Sequence, residues 1–115
     1  GLTSFVNHMY SVFLARDAEP DGLNAWTNQF LTKGLTATRF SIFLVNSQEL
    51  TERALSDKAF LDIVYDACFG RGIDQSGLGT WGGALRSGRS RAWVMQQCAA
   101  SAEFRARATQ FGVAP

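Results

Sequence analysis

Apolar residues recur along this chain at intervals of three and four, the spacing that lines one face of an α-helix, and no stretch alternates with period two for long enough to be a strand. Phe5, Val6, Met9, Tyr10, Val12 and Phe13 mark a first helix ending near Ala15, with Thr3 or Ser4 placed to cap it. A turn from Asp17 to Asp21 follows, where Pro20 suits a helix start and either Asp could cap. The second helix carries Leu23, Trp26, Phe30 and Leu31 and stops at Lys33-Gly34. Thr36 opens a third with Phe40, Phe43 and Leu44 inward; it breaks at Asn46-Ser47, and Ser47 caps a short turn to Arg53. Leu55-Ser56-Asp57 is a polar hinge, after which the pattern restarts. A helix with Phe60, Ile63, Val64 and Ala67 leads through a turn at Gly70 to Ser76 into a helix with Leu78, Trp81 and Leu85; after Gly88, Ser90 starts a helix with Val94, Met95 and Cys98, then, past Ser101, Phe104.

The restart is close enough to read as an internal duplication. At a shift of about 55 residues Phe5 pairs with Phe60, Tyr10 with Tyr65, Arg16 with Arg71, Gly22 with Gly77 and Trp26 with Trp81; with one residue fewer, Gly34 pairs with Gly88, Ser47 with Ser101, Glu49 with Glu103 and Arg53 with Arg107. The expectation is therefore an all-α fold, a compact bundle of about six helices built from two three-helix repeats, residues 3–54 and 56–109. A chain of 115 residues suits one domain, so 1–115 reads as a single unit with Trp26 and Trp81 in its shared core. It opens without an initiator Met and enters structure at once, as a module of a longer protein would.

Charge narrows the partners. A net charge of +1 gives no electrostatic footprint for nucleic acid or an anionic membrane, and no apolar run approaches a membrane span, so neither nucleic-acid binding nor membrane insertion is expected. The repeated charges look structural: Arg16 with Glu49, and Arg71 with Glu103, offer each half an ion pair, the arginines alternatively binding turn carbonyls or an anion. Cys68 and Cys98 stand where the first half has Phe13 and Leu44; they read either as buried thiols or, in an oxidising compartment, as a disulfide.

No catalytic constellation emerges, and no cofactor is expected. His8 is the sole histidine, assigned to a helix surface, and no Gly-x-Ser-x-Gly nucleophile signature accompanies it. Asp17, Glu19, Asp21 and Gly22 resemble the opening of a calcium loop, but Asn28 stands where the closing acid belongs, so capping is the simpler role. The remaining handle is Trp93, which replaces Arg39 of the first half. Arg89, Trp93 and Gln97 form a stripe of flat ring and polar donors suited to a sugar face or a protein groove. Because Gln97 aligns with apolar Phe43, that face could instead pack between the halves.

These residues also resemble a known family. The order Phe5 and Tyr10, Arg16, Asp21-Gly22-Leu23 and Trp26, repeated as Phe60 and Tyr65, Gly70-Arg71, Gly77-Leu78 and Trp81, is similar to repeats of the bacterial domain of unknown function 4214. Gly88, Ser90-Arg91, Val94, Ser101, Glu103-Phe104 and Arg107 complete the pattern, and there is a fainter similarity to phycobilisome linker domains. Ala15, Leu50 and Ser76 depart from it in turns and packing, Trp93 and Cys98 in ways that could mark a special role. The resemblance implies a helical, non-catalytic module of secreted or surface-attached bacterial proteins. The resulting expectation is an extracellular, monomeric, carbohydrate-binding or adhesive module, its partner a glycan through Trp93, Arg89 and Gln97; the alternative is a protein-interaction or spacer module facing a surface protein.

Overall fold

Hydroxyl and carboxylate caps decide where most helices of this protein begin. The computed structural model describes residues 1–115 as eight α-helices without a strand: α1 Leu2–Leu14, α2 Pro20–Thr32, α3 Ala37–Val45, α4 Gln48–Glu52, α5 Asp57–Phe69, α6 Gln75–Arg86, α7 Arg91–Ala99 and α8 Ala102–Gln110. Thr36, Ser47, Ser56, Asp74, Ser90 and Ser101 each accept a hydrogen bond from the backbone N–H three residues on. The two helices beyond the expected six follow from Ser47 and Ser101: α3 is closed by Asn46 and α7 by Ala100, and each serine starts the next helix, so α4 and α8 are separate elements. Neither α1 nor α2 has a side-chain cap; α1 starts at Leu2, ahead of Thr3 and Ser4, and α2 has Glu19 at its cap position and Pro20 in its first turn.

Helix ends are equally explicit. Gly70 closes α5 at φ 68°, the left-handed conformation glycine adopts without penalty, while Ala15 closes α1 at φ 56° in the same conformation with a Cβ to accommodate.

The core lies between α1, α3, α5, α7 and α8. Phe5, Val6, Met9 and Phe13 of α1 meet Phe40 and Leu44 of α3, Phe60, Val64 and Cys68 of α5, Val94, Met95 and Cys98 of α7, and Phe104 of α8 in one continuous apolar cluster. α1 packs against α5 and α3 against α7, which ties the two halves together. The middle helices stand outside: α2 has no buried residue and α6 buries only Gly77 and Gly82. Trp26 and Trp81 are consequently half-buried against the core rather than inside it. Each keeps its indole N–H toward a tyrosine hydroxyl, Trp26 Nε1 donating to Tyr10 Oη at 2.9 Å and Trp81 Nε1 to Tyr65 Oη at 3.2 Å, an arrangement that suits a ring with one polar corner.

Candidate functional site

Ser90 sets the geometry of the stripe on α7. Its Oγ accepts from Trp93 N at 3.0 Å, fixing Trp93 in the first turn. There the indole lies edge-on to Trp81, ring centroids 6.2 Å apart at 62°, and the Arg89 guanidinium sits over it 4.5 Å from the centroid. Trp93 is half-buried as a result, while Arg89 and Gln97 are exposed. Arg89 and Trp93 are thus in contact, Gln97 lies one turn on, and none of the three lines a cleft.

The clefts are on the other half. Thr36 caps α3 as Ser90 caps α7, placing Arg39 where α7 has Trp93. Arg39, Ile42, Phe43 and Asn46 line a cleft of about 270 Å³. Phe43 also walls a second, of about 330 Å³, with Ala25, Trp26, Gln29 and Leu35. Phe43 was expected inward, yet it is 55% exposed, because Ala37, Phe40, Ser41, Leu44 and Val45 take the buried face of α3 and Phe43 stands about 100° round from Leu44. Its ring lies 5.7 Å from that of Trp26, which in turn meets Phe40 edge-on at 4.8 Å. Leu31, also placed on an inward face by its spacing, is 74% exposed at the end of α2. The signal for this surface was the mismatch of Phe43 with Gln97: one position, apolar in one half and polar in the other.

The repeated charges hold turns. Arg16 grips Glu49 with two bonds, Nε to Oε2 at 2.8 Å and Nη2 to Oε1 at 2.7 Å, and also donates to Asp17 O at 3.0 Å. The Arg16 bond holds the Glu49 carboxyl below its usual range and raises the guanidinium in turn. Arg71 reaches Glu103 only once, at 3.4 Å, and Phe69 O at 3.4 Å. Two further residues, which the same 55-residue shift pairs with each other, anchor the same turns: Asn7 Oδ1 accepts from Ala18 N at 2.9 Å and Asp62 Oδ1 from Ile73 N at 3.0 Å. Lys58, with the Ile73 amide, keeps the Asp62 carboxyl low.

Other reactive groups are muted. Cys68 and Cys98 are buried as free thiols. Burial raises both, Cys98 to about 11, so the reactive thiolate is disfavoured at neutral pH. His8 is half-buried rather than on the surface: its ring stacks on Phe111 at 5.3 Å and its Nε2 is buried without a partner. Burial, then Arg107, lowers its pKa against a smaller opposing pull from Asp66. No three His, Cys, Asp or Glu side chains converge as a metal site, and no helix is long and apolar enough to cross a membrane.

A family model described as a domain of unknown function (DUF4214) matches residues 41–108, from within α3 into α8. It is a single match, lying mostly on the second half, where the resemblance in sequence extends over both; it carries no link to phycobilisome linkers. No curated protein and no solved structure matches the chain.

Proposed function

The chain belongs to the DUF4214 family, and on that footing we propose that it is a non-catalytic protein-interaction module of a larger extracellular bacterial protein, docking a polypeptide at the α2–α3 surface. The observation that carries this is Phe43, a large apolar ring 55% exposed that walls two neighbouring clefts. A solvent-facing aromatic beside apolar concavities is the form of an interface anchor site.

The two halves are, in this proposal, copies of one unit. In support, helices pack on their own counterparts, α1 on α5 and α3 on α7, as in a two-fold dimer. The end of each half also reaches the third helix of the other: Arg91 Nη2 donates to Leu55 O at 2.7 Å, while Ala37 N and Thr38 N donate to Ala114 O at 2.8 Å and Pro115 O at 3.1 Å.

A second reading keeps a carbohydrate-binding, adhesive role at Trp93, Arg89 and Gln97. It is favoured by a half-exposed indole beside exposed polar side chains, and opposed by the guanidinium already stacked on that ring. One experiment separates the two: a displayed peptide library and a glycan array, each probed with the wild type, Phe43→Gln and Trp93→Ala. Peptide binding lost in Phe43→Gln alone is the expected result. Saccharide binding lost in Trp93→Ala alone would favour the second reading, and no variant-sensitive binding on either format would contradict both.

A further inference from the structure

In the second half, the space corresponding to the first-half clefts is occupied. By the alignment of the halves, Trp26, Leu35, Arg39 and Phe43 answer to Trp81, Arg89, Trp93 and Gln97. There Trp93 lies edge-on to Trp81 with the Arg89 guanidinium over it, and no cleft remains. The first half has Leu35 and Arg39 at those positions, and the flank of Trp26 stays open as the cleft of about 330 Å³.

We propose that this cleft takes an aromatic side chain of a partner polypeptide, seated against Trp26 and Phe43 as Trp93 is seated against Trp81, with a carboxylate beside that ring in the partner meeting Arg39. The proposal rests on the protein-docking reading and specifies its partner. Two observations support the chemistry. The molecule itself seats an indole against Trp81, the residue that answers to Trp26, so a flat ring is a group this position accommodates. Arg39 is exposed on the wall of the neighbouring cleft and has no ion pair, which leaves its guanidinium available to a carboxylate of the partner. An aromatic anchor buries a large area at low entropic cost, and a charge-assisted contact to Arg39 would set its orientation.

The test uses the intact domain against a displayed library of random short peptides, with selected peptides re-measured on Phe43→Gln and Arg39→Trp. The second variant is designed to fill the cleft from within, as Trp93 does, and thermal melting verifies that both stay folded. The expected result is enrichment of peptides pairing Trp, Phe or Tyr with Asp or Glu, and a loss of at least about tenfold in affinity on each variant. Phe43-dependent peptides with aliphatic or basic anchors would overturn the aromatic–acidic assignment and leave protein docking standing. An absence of Phe43-dependent peptides would overturn both. Self-association of the wild type that disappears in Phe43→Gln would make the occupant a second copy and overturn the proposal, as would Phe43-dependent saccharide binding.

Discussion

The first half of this molecule leaves open what the second half fills. Both halves lean a middle helix on the core through a Trp–Tyr hydrogen bond, at 2.9 Å in one and 3.2 Å in the other, and both start the next helix with a hydroxyl cap. They differ in what stands on that capped helix. In the second half Trp93 meets Trp81 edge-on with no cleft beside it; in the first, Phe43 meets Trp26 and the two wall a cleft. The α2–α3 surface is thus exposed and the α6–α7 surface self-covered, and the side chains beside the buried faces of α3 and α7 decide which.

Truncating the inward faces should separate the halves most strongly. Phe40, fully buried, contacts the rings of Phe5, Tyr10, Trp26 and Phe30, whereas its counterpart Val94 is small. Phe40→Ala should cost about 3–5 kcal/mol and Val94→Ala about 2 kcal/mol in urea unfolding; equal losses would mean that the halves bear equally on the core.

The paired glycines should give opposite signs. A Cβ on Gly77 would overlap the Tyr65 hydroxyl, but one on Gly22 meets nothing within 4 Å. Gly77→Ala should therefore destabilise by about 1–3 kcal/mol and weaken the Tyr65–Trp81 bond, seen as a shifted indole N–H resonance. Gly22→Ala should stabilise by about 0.5–1 kcal/mol, since only the helix propensity changes. Destabilisation by both would show that α2 and α6 are held more alike than their packing indicates.

Much of this was legible in the chain. The three- and four-residue periodicity located the helices, and the polar residues before α3, α4, α5 and α7 located their starts, because caps are local chemistry and act wherever the side chain lies. The count of helices was not, because the segment after Ser47 reads as a turn and the pattern runs on past Ser101, although each serine starts a helix of its own. Phe43 and Leu31 misled for a different reason: more apolar residues of a helix can fit the period than its buried face holds, and only neighbours distant in sequence settle which are covered. Trp93 was placed by its departure from Arg39, but its contact with Trp81 belongs to tertiary packing. His8, half-buried against Phe111, was marked only by its alignment with the apolar Ile63.

Acid should probe the smaller effects. His8 has a folded pKa below its ordinary 6.5, so the unfolded chain binds the proton more readily. Its contribution to stability is full above 6.5 and declines as pH falls from 6.5 to the lowered value. His8→Phe should flatten the stability profile in that window while Asp66 and Arg107 remain in place; an unchanged slope would remove His8 as its source. Below about 4.5 the Glu49 pairing, whose carboxyl is depressed by Arg16, is lost as the pH passes its folded value. Glu49→Gln should reduce the acid slope there, read from urea midpoints across the pH series.

The open and filled faces can be compared most directly by titrating the ¹⁵N-labelled domain with N-acetyl-tryptophanamide and following amide and indole N–H signals. Saturable shifts at Trp26, Gln29, Leu35 and Phe43, with Trp81 and Gln97 unmoved, are the predicted result. Shifts centred on Trp93 and Trp81, or equal in the two halves, would contradict the claim that the first half alone presents an open aromatic site.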